Sequence, residues 1–106
     1  MVTFEEFKKL EIKIAQIKEV KEHPNADKLY VITIDLGDKT KQIVVGIKGY
    51  YKPQDLLGRQ IAVVDNLEPA VLRGVESQAM LLAAQDEKGI AILTPDRAMK
   101  LGSTVK

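Results

Sequence analysis

The sequence predicts an all-β protein, a small five-stranded barrel of Greek-key type preceded by a short helix. Three observations predict it. Runs rich in Ile, Val and Thr recur at short intervals, turn residues separate them in "HPNAD" and "LGDKT", and the one internal helical signal, "YYKPQDLLG", falls between the third run and the fourth. At 106 residues the chain has room for one domain and one core, and 45% hydrophobic with 29% charged residues is ordinary for a globular protein. With only Phe4, Phe7 and three tyrosines as aromatics, the core must be built from isoleucine, valine and leucine.

The elements follow in order. "FEEFKKL" behind Thr3 has apolar residues at 4, 7 and 10, and Thr3 with Glu6 fits a capping box, so Phe4 to Leu10 reads as a short helix. In "EIKIAQIKEV" Ile12 and Ile14 share a parity and Ile17 takes the other, which predicts a long strand with a bulge between Ile14 and Ile17. Leu29 to Leu36 is the second strand and Ile43 to Val45 the third. Pro53 and Gly58 bound a helical turn, Ile61 to Val64 is the fourth strand and Met80 to Ala84 the fifth. Ile90 to Leu93 is a further strand-like piece before a tail led by Pro95. Five strands with a helix between the third and fourth is the order of the OB-fold, a small Greek-key barrel whose face and loops hold nucleic acid. Residues 11–85 or so form the barrel core in this reading, and 86–106 a C-terminal extension.

The composition narrows the chemistry. Without cysteine there is no disulfide, thiolate zinc site or cysteine nucleophile. His23 is the only histidine, so neither a hydrolytic triad nor a histidine metal site can be assembled, and it reads as a turn residue beside Pro24. Asp35 and Asp38 lack the ligand spacing of a calcium loop, and the glycines form no phosphate-binding fingerprint. No catalytic residue, metal or cofactor is expected. No uncharged run is long enough to span a bilayer, and the charged N-terminus does not resemble a signal peptide, which points to the cytoplasm.

What remains is binding. The net charge is only +1, but Lys39, Lys41, Lys48, Lys52 and Arg59 stand against the single acid Asp55 between positions 39 and 59, a local basic patch interleaved with Tyr50 and Tyr51. The competing reading is that one tyrosine packs in the core and the lysines are solvated. In "NLEPAVLRGVESQAM", Asn66 can donate and accept, Arg73 offers a planar fork of donors, Ser77 can donate, and Gly74 lets the chain turn so that Arg73 projects. Arg73 equally fits a surface ion pair with Glu68 or Glu76, and Met80, opening an apolar strand, reads on its own as a core residue.

Three stretches, "HPNADKLYVITIDLG", "IVVGIKGYYKPQDLLGRQIAVVDNLEPAVLRGVESQAMLLAA" and "ILTPDRAMKLG", resemble the tRNA-binding domain at the C-terminus of many methionyl-tRNA synthetases. The same family occurs as free dimeric tRNA-binding proteins and at the end of a synthetase-associated cytokine. The likeness runs from about Phe4 to Gly102. It implies the barrel, a homodimer made by the segment after the fifth strand, and recognition of tRNA by shape. Matching the family pattern, Asn66, Arg73, Ser77 and Met80 are implied tRNA contacts, joined by Lys28 in "ADKL" and Lys48 in "GIKGYY", with Lys39, Lys41, Lys52 and Arg59 as a supporting patch. Glu68 and Ala70 stand where the family usually has lysines and Ala79 where it has glycine, which implies weaker binding with a flatter salt dependence.

The resemblance, with Met1 at the start, implies a stand-alone protein or beta subunit that assists a separate methionyl-tRNA synthetase chain without catalysis of its own. Two alternatives stand beside it. A branch of the same fold acts as a secretion-associated chaperone for extended peptide, which would use Met80, Leu81 or Tyr51. The tail with Ile90, Ile92, Leu93, Met99 and Leu101 would also suit a subunit that only dimerises the synthetase.

Overall fold

The structure, a computed structural model, describes residues 1–106. Helix α1 is Phe4–Phe7, and the strands are β1 Ile12–Glu22, β2 Tyr30–Asp35, β3 Thr40–Val45, β4 Gln60–Val64, β5 Ala70–Leu72, β6 Val75–Ser77, β7 Met80–Leu81, β8 Ala83–Asp86, β9 Gly89–Ile92 and β10 Thr104–Val105, with helix α2 at Pro53–Leu56. The main sheet runs β3-β2-β1-β4-β7, all antiparallel, and curls into a nearly closed five-stranded barrel. This is the all-β OB-type architecture expected, with α2 between β3 and β4.

The capping box at α1 is present: the Thr3 hydroxyl accepts the Glu6 N–H at 3.1 Å and the Glu6 carboxylate accepts the Thr3 N–H at 3.3 Å. The α-helix is one turn, shorter than Phe4 to Leu10, and hydrogen-bonded turns continue to Leu10. Strand β1 is long because it serves two neighbours: Ile12 to Gln16 pair with β4, and Gln16 to Glu22 pair with β2.

The change of parity in β1 has a different cause from the one the sequence suggests. Ala15 and Ile17 point into the barrel, whereas Ile12 and Ile14 pack on its outer side with Ala62 and Val64, covered by Phe7, Leu82 and Val105. Two separate apolar clusters claim the two faces of one strand, so no extra residue is needed between Ile14 and Ile17. The bulge lies later, between Ile17 and Glu19, where Lys18 has no partner on β2. The expected fifth strand is likewise divided. Leu82 still donates its N–H to the Ala62 carbonyl of β4 at 3.0 Å and packs its side chain on the outer cluster, but its carbonyl accepts from Leu93, and Ala83 starts a separate hairpin with β9.

Two elements escaped the sequence reading. The tail returns to the barrel as β10, pairing Thr104 and Val105 with Lys13 and Ile12. Its approach is tight: a Cβ at Gly102 would lie 2.6 Å from the Leu36 carbonyl oxygen and one at Gly37 2.8 Å from that of Leu101, so both crossing points require glycine. The other is the β5–β6 hairpin, which lies against the open edge of β3.

That edge is closed largely by side chains. The Ser77 hydroxyl accepts the Val44 N–H at 3.0 Å and donates to the Ala79 carbonyl at 3.0 Å. The Gln78 amide oxygen accepts the Gln42 N–H at 2.9 Å, while the Gln78 N–H donates to the Gln42 carbonyl at 2.8 Å. Thus the donors that a sixth ladder would have satisfied are met by one hydroxyl and one carboxamide. Replacing Ser77 by alanine leaves the Val44 N–H unpaired in a buried setting, and the expected loss is about 1–3 kcal/mol in urea unfolding. A loss under about 0.5 kcal/mol, within the range of ordinary surface changes, would show that the hydroxyl does not hold the seam.

Candidate nucleic-acid interface

Two short segments meet at one end of the barrel: the loop 23–29 between β1 and β2, and the turn joining β5 to β6. Leu72 and Val75 flank a two-residue turn in which Arg73 has φ +54° and Gly74 φ +89°. Positive φ at both central positions is the type I′ arrangement that suits the twist of a hairpin. Glycine adopts it freely, whereas arginine does so at a cost, and Arg73 is the only non-glycine residue with positive φ in the chain. Its side chain is exposed, and one guanidinium nitrogen reaches the Asn25 carbonyl at a long 3.4 Å. Most of its five N–H donors stay free for a ligand.

The loop is tied to this turn from below. His23 is buried, its Nδ1 accepting the Asn25 N–H at 2.9 Å and its Nε2 lying 2.9 Å from the Leu72 carbonyl. Lys28 is exposed on the same loop. Lys48, after β3, pairs with Glu22 at 2.6 Å, and this hydrogen bond raises its pKa above the ordinary lysine value.

Lys39 and Lys41 belong to a second centre. Asp65, at the end of β4, is 3% exposed, and Lys13, Lys39 and Lys41 approach its carboxylate at 3.1, 3.0 and 2.7 Å. Lys41 also donates to the Asp65 carbonyl at 2.8 Å and reaches the Gln78 carbonyl at 3.4 Å, which directs all three of its N–H groups at protein oxygens. Lys39 keeps donors to spare. Asn66 is similarly engaged: its amide oxygen accepts the Glu11 N–H at 2.8 Å and its amide nitrogen donates to the Lys9 carbonyl at 2.7 Å. Lys39, Lys41, Asn66, Glu68 and Gln78 line an open depression of about 500 Å³.

Burial works against a charged Asp65, but hydrogen bonds from Lys41, Lys39 and Lys13 outweigh it and hold its pKa well below the carboxylate range. The same bond to Asp65 raises the pKa of Lys13 against a smaller effect of burial.

The other sequence candidates are spread around the barrel. Tyr51 is half-buried, its hydroxyl accepting the Ile92 N–H at 3.1 Å, and the Arg59 guanidinium lies 5.7 Å from its ring centre. Tyr50 is 53% exposed, and Lys52 is exposed at the start of α2. Ser77 is buried in the seam and Ala79 in the barrel core. Met80 is 48% exposed at the edge of an apolar slot of about 250 Å³ that includes Val44, Leu67, Leu72 and Leu81. Asp65, Lys13, Gln78 and Asn25 were not singled out from sequence. The signal available was an acid closing the buried run "IAVV", with lysines two positions apart, 39 and 41, where the third strand begins.

Residues 12–104 match the model of the putative tRNA-binding domain. The chain belongs to that family. A methionine–tRNA ligase of Thermococcus kodakarensis is 53% identical over 105 residues, which are 99% of this chain and 14% of the relative, so the chain spans about a seventh of that enzyme's length. Among solved structures, a MetRS-related protein of Pyrococcus horikoshii superposes with a TM-score of 0.93 at 30% identity, covering 100% of this chain and 98% of the other. A chaperone, CsaA, of Bacillus anthracis gives 0.92 at 28%, covering 100% and 99%.

The charge centre makes a pH prediction. Because the folded state favours the Asp65 carboxylate, its contribution is complete above the unfolded value of about 3.9 and is lost as pH falls toward the lower folded value. Asp65→Asn should lower stability at pH 7 by on the order of 1–3 kcal/mol, less than for a fully buried pair because the lysines remain partly exposed. It should also flatten the decline in stability below pH 4. Equal acid slopes for variant and parent in urea titrations would remove Asp65 from this role.

Proposed function

We propose that this tRNA-binding domain is a non-catalytic module that holds tRNA by its shape for methionyl-tRNA ligase, acting in the cytoplasm as a homodimer, either within that enzyme or as a separate chain. Arg73 carries the reading: an exposed arginine occupies a backbone conformation for which glycine or asparagine is the stable choice. Strain of this kind persists where the side chain is needed. A guanidinium fork on a rigid hairpin tip, with Lys28 on the adjoining loop, suits phosphates on a folded RNA, where shape and backbone contacts dominate over base readout. Lys39 supplies further charge at the Asp65 centre. Asn66, Ser77 and Lys41 then act by building the rim, since their polar groups are directed at the protein itself. A module of this type contributes effective concentration to the catalytic chain.

Arg73→Asn gives the sharpest test, because it separates ligand from fold. The variant should gain about 0.5–1 kcal/mol of stability by relieving the positive-φ strain. It should also lose about 10- to 100-fold in tRNA affinity, the worth of charged hydrogen bonds to phosphate, and about 0.7–0.9 in salt slope. Unchanged affinity in a fluorescence titration would place the site elsewhere. Conversely, Glu68→Lys should tighten binding and steepen the salt slope by about 0.7–0.9; an unaltered slope would mean that residue 68 does not face RNA.

A second reading is favoured by the apolar slot with Leu67, Leu72 and Met80 at its mouth, and by the likeness to a protein described as a chaperone: an extended peptide would lie there. Peptide binding that persists at high salt, with no tRNA binding at low salt, would select it.

A further inference from the structure

We infer that His23, acting with Asn25, is a positioning residue that latches loop 23–29 to the β5–β6 hairpin and so presents Arg73 to its ligand. This rests on the RNA-binding reading, but the latch itself is built from contacts independent of it.

His23 is 6% exposed, so both ring nitrogens need partners within the protein. The Asn25 N–H can only donate and the Leu72 carbonyl can only accept. With both at 2.9 Å, Nδ1 must offer its lone pair and Nε2 must carry the proton. One neutral tautomer satisfies the two contacts, and the other satisfies neither. Two further links cross the same gap: the Asn25 side-chain amide donates to the Arg73 carbonyl at 3.4 Å, and the Arg73 guanidinium donates to the Asn25 carbonyl at 3.4 Å.

The latch acts where it is needed. Each strand of the hairpin has three residues, and so short a ribbon is marginal unless it is packed or tied. At its base the hairpin is held by Ser77 on the edge of β3, while at its tip the bond to Leu72 fixes the residue before the strained turn. Freed from it, the turn would sample several orientations, and binding would have to order both the backbone and the long side chain of Arg73. His23 is covered by protein, so its effect on RNA passes through Arg73.

The experiment is a double-mutant cycle on tRNA affinity, in His23→Asn and His23→Gln, with and without Arg73→Ala. Glutamine places an amide nitrogen near the imidazole Nε2 and keeps the bond to Leu72, whereas asparagine imitates only Nδ1. His23→Asn is expected to weaken binding about 3- to 10-fold, the scale of ordering one turn and one long side chain. His23→Gln should stay within about twofold of the parent, and neither should add to the loss caused by Arg73→Ala. Parent-like affinity in His23→Asn, or a loss that persists undiminished beside Arg73→Ala, overturns the proposal.

Should His23→Asn fail to fold, the glutamine variant and the ring itself decide. The chain has a single histidine, so nitrogen NMR reports one imidazole, expected as the Nε2–H tautomer; the Nδ1–H form or a mixture overturns the latch. If the parent protein does not bind tRNA, the functional reading falls by itself. The latch is then judged by the tautomer and, in His23→Asn, by amide exchange at the Leu72–Val75 pair that closes the hairpin, which should quicken and whose constancy would refute it.

Discussion

A single carboxylate ties together the parts of this barrel that have least backbone to hold them. Asp65 directly follows β4, Lys13 lies in β1, Lys39 directly precedes β3 and Lys41 lies in it, so three strands converge on one group. Lys41 extends the tie to the carbonyl of Gln78, just before β7, and thereby spans the gap between β3 and the closing strand. The chain leaves this knot through Asn66, whose amide fastens the residues after α1, and then rises into the β5–β6 hairpin. The hairpin therefore starts from a fixed point and ends, at its tip, against the loop that follows β1.

This arrangement changes how the charge of the chain is to be counted. The run of basic residues from 39 to 59 has the composition of an RNA-binding patch, yet its members do different work. Lys41 is consumed in the fold, Lys48 is shared with Glu22, and Arg59 lies over the ring of Tyr51. Arg73 and Lys28, set among acids in the linear sequence, are the cations that stand free at the rim. Proximity in the chain and availability to a polyanion are separate properties, and burial with hydrogen bonding decides between them.

Much of the barrel was legible because its strands are long enough to show their composition. The order of β1 to β4 and the place of α2 follow from β-branched runs and from Pro53 and Gly58. Strands of two or three residues carry no such signal: β5, β6 and β10 are specified by what they rest on, and β7 and β8 read as one strand because nothing local marks the break at Leu82. The parity of β1 misled for another reason. A parity change implies a bulge only if one face is buried, and here the outer face has its own cluster. At the candidate site, Arg73 and Lys28 were proposed through their motifs, whereas the Asp65 centre joins residues 13, 39, 41 and 65, a set that only the folded barrel defines. The loop histidine was recognised as belonging to a turn, but its partner 49 positions away was beyond any local pattern.

The seam between β3 and the hairpin has a different heredity from the rest of the sheet. A ladder of backbone amides forms whatever side chains it carries, so its spacing is common to every sequence that adopts the fold. Where Ser77 and Gln78 substitute for a strand, the spacing is set by the reach of a hydroxyl and of a carboxamide, and it is encoded in two codons. The width of this seam is therefore open to change by point substitution, with no insertion, deletion or shift of register. Evolution can reset it one residue at a time.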